Sequence, residues 1–184
     1  MIEFKLLSAR DSRFVAALRS HYTRSGGAPY GKKICMEIFE DGQHRGWIGL
    51  GEPSFKLSPR RRLGLEDARP LPQTVCCFVY RLDAPGPSRA SAILDAWHPV
   101  ASRWWEIAYH WTPLHWETMI DPTRIREQLN PGACFRAVGY RSLGMTTGRS
   151  ARRPEGHGKG SPRLWVDDTP KLVLYRGPLH RRPT

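Results

Sequence analysis

Long hydrophobic runs are missing from this 184-residue sequence. A membrane-spanning helix needs about 20 consecutive apolar residues, and the longest apolar runs here are far shorter. The first residues, MIEFKLLSARDSR, mix acidic and basic side chains, so we expect no secretory signal. These features argue against a membrane or secreted protein and predict one cytoplasmic domain spanning residues 1–184.

Cysteine is scarce, and the four cysteines form no Cys-x-x-Cys pair. Each has apolar neighbours, which favours reduced thiols in a core. Cys76 and Cys77 are adjacent and would point to opposite faces of a strand, so a zinc site built from them is not expected.

Acidic residues are outnumbered: 17 Asp and Glu face 29 Lys and Arg, for a net charge of +12. Such an excess raises the local concentration of polyanions and says nothing about the fold. Nucleic acid is the first partner to consider, and an acidic membrane surface or a ribosome the second. The alternative is a soluble protein that is basic without such a partner.

The hydrophobic pattern predicts the element order β-α-β-β-β-α-β-α-β-β. The clearest element is a hairpin around Asp41-Gly42, a type I′ turn signal, and the run QTVCCFVYRLD has the pattern of a central strand buried on both faces. In the following helix, Ala92, Ile93, Ala96 and Trp97 form the predicted buried stripe, with Ser88 as cap and Pro99 as a kink or break. Residues 51–72 and 148–163 are predicted basic insertions.

This order predicts an α/β (α+β) domain with a mixed central sheet, a splayed parallel pair of strands and flanking helices. That is the arrangement of the Gcn5-related N-acetyltransferase fold. The Arg/Gln-x-x-Gly-x-Gly/Ala segment that binds pyrophosphate in that fold is absent, and LDAPGPSRAS stands in its place.

Several short motifs occur in a fixed order along the chain. They are His21-Tyr22 before the hairpin, Ser88-Arg89 at the start of the central helix, Asp121 at the end of the next strand, GACFRA at 132–137 and GMTTGR at 144–149. In this order they resemble the phage Mom DNA-modification proteins and a bacterial group that includes a component of the Druantia anti-phage system. The resemblance implies an acyltransferase-like fold acting on DNA, where Mom attaches a small carbamoylmethyl-type group to the exocyclic amine of adenine.

The predicted donor is an acyl-coenzyme A. The start of a helix has unpaired N–H groups that suit a pyrophosphate, so Ser88 and Arg89 are candidate contacts, and Gly86 would allow close approach of the backbone. Arg136 belongs to the segment that would pack over the sulfur end of the donor. Iron is a second cofactor that this chemistry allows, without support from the sequence.

The candidate catalytic residues are Asp121, His21, Tyr22 and Tyr140. Asp121 would end a strand where ligands bind in open sheets, and its carboxylate would accept a proton from an amine or bind a metal. An ordinary Asp-Pro turn is the equal alternative. His21 is a second base or metal ligand, and Tyr22 a group that stacks on a base or hydrogen-bonds it; the alternative for both is an ordinary helix end with a histidine against its dipole. Tyr140 is an acid for the leaving thiolate, or else a core residue.

The candidate nucleic-acid contacts lie in the two insertions and are Arg60, Arg61, Arg62, Arg149, Arg152, Arg153, Lys159 and Arg163. The glycine- and proline-rich run Gly148–Arg163 is expected to be a mobile arm that binds phosphates. Adenine in a duplex would then be flipped out to reach a buried donor. Two alternatives remain: a DNA-binding module without catalysis, and an acyltransferase acting on a small amine or on aminoacyl-RNA.

Overall fold

A computed structural model describes residues 1–19, 31–124, 130–146 and 169–178 of the chain. In these ranges the strands are β1 (Ile2–Leu7), β2 (Lys33–Glu40), β3 (Gln43–Gly51), β4 (Thr74–Leu82), β5 (His115–Ile120), β6 (Arg141–Met145) and β7 (Leu172–Arg176). The α-helices are α1 (Ser12–Arg19), α2 (Ala90–Tyr109) and α3 (Ala133–Ala137), and two 3-10 turns cover Ser58–Leu63 and Pro122–Arg124. The predicted strands and first two helices are confirmed; the third predicted helix, at residues 122–130, lies partly outside the described residues, and the described α3 begins at Ala133.

The strands form one sheet in the order β1-β2-β3-β4-β5-β7-β6. β4 and β5 run parallel, and the other neighbouring strands run antiparallel. The hairpin is confirmed: Asp41 and Gly42 join β2 to β3 with positive φ angles of 51° and 78°, as a type I′ turn requires.

β4 and β5 separate halfway along β4. Their pairing ends at Cys77 and Thr118, whereas β4 continues to Leu82 alongside β3. At the same level Gly49 pairs with Val79 and Leu50 with Cys77, so Phe78 is one extra residue in β4. This bulge bends the strand and directs the second half of β4 away from β5. The predicted splayed parallel pair is therefore present.

α2 covers one face of the sheet. Its buried side chains are Ile93, Leu94, Trp97, His98, Ala101 and Trp105. The predicted stripe is right for Ile93 and Trp97 and wrong for Ala92, which is exposed. The helix continues through Pro99, because the proline lies on the exposed side. Among the described helices, none is long and apolar enough to cross a membrane.

The opposite face is covered by α1 over β2 to β4 and by the 51–72 insertion over β5 to β6. The insertion adds Leu57, Leu63 and Leu71 to the buried Leu143, Val173 and Tyr175. It is therefore partly a packing element, whereas the sequence predicted only an irregular basic loop.

Arg60 contradicts its predicted role in nucleic-acid binding. Its side chain is 0% exposed, and its Nε and Nη2 donate to Glu117 Oε1 and Oε2, each at 2.7 Å. Its Nη1 donates to the carbonyls of Ser54 and Ala68. With these acceptors satisfied inside the fold, Arg60 fixes the insertion to β5 and does not face a phosphate.

Candidate active site

The start of α2 lies just after β4, where β4 has separated from β5. Arg89 is the N-cap residue, with extended backbone angles (φ −67°, ψ 151°), and no side chain caps the helix. Within the described residues, the N–H groups of Arg89, Ala90, Ser91 and Ala92 have no hydrogen-bond acceptor. Four free donors and the positive end of a 20-residue helix form a favourable position for a phosphate.

The predicted capping role of Ser88 is wrong. The N–H of Ser88 donates to Glu40 Oε1 at 3.0 Å, and its hydroxyl makes no cap contact. Gly86 is required by the fold itself, because a Cβ atom at this position would lie 1.6 Å from Arg45 Nη1; the predicted close approach of the donor stays a prediction. The close neighbour of Gly86 is thus a side chain of the protein itself.

Two predicted donor contacts are arginines in different settings. Arg89 is exposed at the helix start, free to reach a phosphate beside the N–H groups. Arg136 lies in α3 and its Nη1 donates to Asn130 Oδ1, so this guanidinium already has a partner.

This site suits the pyrophosphate of coenzyme A, although it offers fewer backbone N–H donors than a glycine-rich loop does. Pro85 and Pro87 have no N–H, and the N–H groups of Asp83 and Ala84 donate to the Arg45 carbonyl at 2.8 and 3.4 Å. The donors that remain are Gly86 and the first turn of α2. Beside these donors β4 separates from β5, and the thioester arm of the donor would enter the sheet between the two strands.

Asp121 does not lie on an accessible surface. Its side chain is 0% exposed, and its Oδ1 accepts hydrogen bonds from Thr123 N–H at 3.0 Å and from Thr123 Oγ at 2.6 Å. These are the contacts of an Asp-initiated turn, the alternative that the Asp-Pro sequence had left open. This geometry gives no support to the prediction that the Asp121 carboxylate accepts a proton from an amine or binds a metal.

Tyr140 belongs to the core beneath α2. It is 3% exposed, packs against Phe135, and its hydroxyl lies 3.0 Å from His98 Nε2. Burial lowers the pKa of His98 to about 4, helped by the charge of Arg176 and opposed by the Leu94 carbonyl and by Asp95.

Burial also raises the pKa of Tyr140 well above its ordinary value. The neutral phenol and the neutral imidazole therefore share a hydrogen bond near pH 7. Tyr140 is therefore placed as a core residue, the alternative that the sequence had left open. Its buried hydroxyl is not positioned to contact a leaving thiolate.

His21 and Tyr22 lie outside the described residues. The helix before them is fixed to β4, because Arg81 Nη1 donates to the Ala17 carbonyl at 3.2 Å and α1 ends at Arg19. The end of α1 therefore lies next to the half of β4 that has separated from β5. The prediction that His21 or Tyr22 takes part in the reaction stays a prediction.

Two of the predicted nucleic-acid contacts are exposed and lie near the start of the second basic segment. Arg61 and Arg62 are exposed, and a Cβ atom at Gly144 in β6 would lie 3.1 Å from Arg62 Cζ. β6 leads to Thr146, whose N–H donates to the Lys171 carbonyl at 2.8 Å.

The chain therefore leaves the sheet at Thr146 and re-enters it beside that point, at Lys171, at the level of Ile120 in β5. Arg149, Arg152, Arg153, Lys159 and Arg163 lie outside the described residues.

The sequence did not point to three of the buried polar residues described here. Glu40 and Arg45 lie at the two ends of the hairpin turn and are 4% and 3% exposed, and His98 lies on the buried face of α2. Their local patterns are those of solvent-facing residues, so only the tertiary structure reveals their partners. The described residues contain no cluster of three His, Cys, Asp or Glu side chains that suits a metal ion.

No protein-family model and no curated protein matches the chain. Among solved structures, the aminoglycoside N-acetyltransferase AAC(6')-Ib11 is 12% identical, with 96% of each chain covered and a TM-score of 0.52. The aminoglycoside acetyltransferase AAC(6')-Ib in complex with coenzyme A is 12% identical, with 96% of this chain and 95% of that chain covered and a TM-score of 0.53. At this identity the likeness concerns the fold: the chain has the Gcn5-related N-acetyltransferase fold that its element order predicted.

Proposed function

We propose that the protein transfers an acyl group from a coenzyme A thioester to an amine of a nucleic acid. The observation that carries the donor half is the uncapped start of α2 beside the separated strands β4 and β5. The donor's phosphates would bind the free N–H groups of the first turn and the Arg89 guanidinium. A likeness of fold to an acetyltransferase that binds coenzyme A supports the same donor class.

The chain's own residues would orient the donor and exclude water from it. The thioester supplies an activated acyl carbon, so that an N–C bond forms to the amine as the C–S bond breaks; the sulfur leaves as a thiolate and takes up the proton that the amine loses, to give the free thiol. We expect the sheet around this position to limit the access of water to the thioester, which would limit hydrolysis. His21 is our candidate for the group that accepts the proton, since Asp121 is buried in its turn.

Charge favours a nucleic acid as the acceptor. A chain with a net charge of +12 raises the local concentration of an anionic substrate and lowers that of a cationic one such as a polyamine or an aminoglycoside. Arg62 lies beside β6, and the basic segment after Thr146 leaves the sheet at the same end as β5. We propose that Arg61, Arg62 and the basic residues after Thr146 bind the polynucleotide. The resemblance to Mom-like proteins favours the adenine amine of DNA.

Mass spectrometry of nucleosides tests this proposal. DNA and RNA from cells that express the protein are digested and compared with nucleic acids from cells that express Ala90→Pro, a change aimed at the donor site. We expect a mass-shifted adenosine or deoxyadenosine with the wild-type protein only. The absence of any shifted nucleoside, combined with acylation of a free amine by the purified protein, would replace the nucleic-acid acceptor by a small amine. DNA binding without any donor binding would indicate a non-catalytic module.

A further inference from the structure

A buried ion pair lies beneath the loop that leads into α2. Glu40 ends β2 and Arg45 lies in β3, on either side of the hairpin turn, and Arg45 Nη1 contacts Glu40 Oε2. Their side chains are 2% and 4% exposed. Both charges are therefore almost completely removed from water, a costly arrangement that other contacts must offset.

The pair binds the loop on both sides of Gly86. Arg45 Nε donates to the Ala84 carbonyl at 3.0 Å, and Glu40 Oε1 accepts from the Ser88 N–H at 3.0 Å. The backbone carbonyl of Arg45 also accepts from Asp83 N–H at 2.8 Å. Because Gly86 has no side chain, the loop lies directly on the guanidinium of Arg45.

These contacts determine where α2 begins. Ser88 is two residues before the first helical residue, so the bond from its N–H to Glu40 fixes the backbone next to the free donors of the first turn. An apolar pair of the same size would be cheaper to bury and would supply neither bond. The polar pair thus orients the backbone at the position where the donor's phosphate is expected.

We propose that Glu40 and Arg45 are positioning residues for the donor: they hold the first turn of α2 so that its N–H groups face the phosphate, and Arg45 also neutralises a carboxylate that would repel it. This inference rests on the proposed function. It predicts that the loss of Arg45 and the loss of Glu40 affect donor binding unequally, because the bound group is an anion. Loss of Arg45 leaves a buried negative charge beside the phosphate, whereas neutralisation of Glu40 leaves a positive one.

The test compares the binding of coenzyme A by Arg45→Met and Glu40→Gln, using calorimetry at a temperature where each variant is folded. Glutamine keeps an acceptor oxygen for Ser88. We expect Arg45→Met to weaken binding by roughly tenfold or more and Glu40→Gln to change it by less than about threefold, the asymmetry that one uncompensated charge produces near an anion. In steady state the KM for the donor should rise in Arg45→Met, with kcat nearly unchanged.

A matched control comes from the other buried pair. Arg60→Met also removes a buried arginine and leaves a buried glutamate, Glu117, but on the opposite side of the sheet. It should lower stability and leave the affinity for coenzyme A unchanged. If Arg45→Met fails to fold, Arg45→Lys takes its place, since lysine keeps the charge but cannot bind Glu40 and the Ala84 carbonyl together; it should still weaken binding more than Glu40→Gln does.

The outcomes separate the two proposals. Binding of coenzyme A by the wild-type protein, with equal losses in the Arg45 and Glu40 variants or with the same loss in Arg60→Met, would overturn the positioning role and leave the proposed function standing. A wild-type protein that binds no coenzyme A or acyl thioester would overturn both.

Discussion

The guanidinium of Arg60 and the carboxylate of Glu117 form a two-bond ion pair inside the fold, with both N–O distances at 2.7 Å. Arg60 comes from the basic 51–72 insertion and Glu117 from the middle of β5. Arg60, which the sequence grouped with phosphate-binding arginines, therefore attaches the insertion to the sheet.

Removal of this arginine should lower stability rather than nucleic-acid affinity. Arg60→Met leaves Glu117 buried without its partner, which costs about 3–5 kcal/mol of unfolding free energy. Arg61→Ala, at the neighbouring exposed position, should cost less than about 0.5 kcal/mol. Denaturant unfolding followed by tryptophan fluorescence measures both. Equal stability of the two variants would contradict the burial of Arg60.

The exposed arginines should show the opposite behaviour. Arg61→Ala and Arg62→Ala are each expected to weaken DNA binding for all sequences alike and to reduce the slope of log K against log salt by about 1. Arg103→Ala, an exposed position on α2, serves as the control and should leave the slope unchanged. An unchanged slope in both insertion variants would remove this insertion from the acceptor site.

Asp121 is expected to matter for the turn and not as the base. Asp121→Asn keeps an oxygen for Thr123 and should retain acyl transfer, whereas Asp121→Ala should lose about 1–3 kcal/mol of unfolding free energy. Transfer is measured by thiol release at a temperature where both variants are folded. A loss of about 10²–10⁴-fold in Asp121→Asn would instead identify the carboxylate as the general base.

His98 should make stability depend on pH. Its pKa is about 4 in the folded chain and near 6.5 when unfolded, so the unfolded chain binds more protons between these values. Unfolding free energy should therefore fall as pH decreases, by about 1.6 kcal/mol from pH 6.5 to 5.

The reference for this measurement is His98→Gln, which keeps an acceptor for Tyr140 and does not titrate. Its unfolding free energy should fall by less over the same pH range. Parallel pH profiles for the two proteins would show that His98 is not held neutral by burial.

Much of the sheet could be predicted from sequence because its signals are local. The Asp41-Gly42 turn fixes the hairpin, and the apolar run that becomes β4 identifies the central strand. The bulge at Phe78 has no comparable signal, since it depends on how β3 and β4 pair.

The site was harder to predict because its polar residues act through distant partners. Arg60 and its exposed neighbours look alike in sequence, yet only Arg60 meets a buried glutamate 57 positions away. Asp121 looked like an active-site carboxylate because ligands bind at strand ends. In the fold, its Oδ1 accepts hydrogen bonds from Thr123 in a turn. Glu40 and Arg45 lie in a hairpin that usually faces solvent, so their contact with the α2 loop depends on the tertiary fold.

The most direct measurement is the affinity for coenzyme A of Ala90→Pro beside Ala90→Val. Proline is well tolerated at the first helical position, and the extended backbone of Arg89 suits a following proline, so the variant should fold while losing one of the free N–H groups. Valine adds bulk and keeps the N–H. We predict that calorimetry shows clearly weaker binding for Ala90→Pro than for Ala90→Val, whereas equal affinities in the two variants would contradict a donor held at the start of α2.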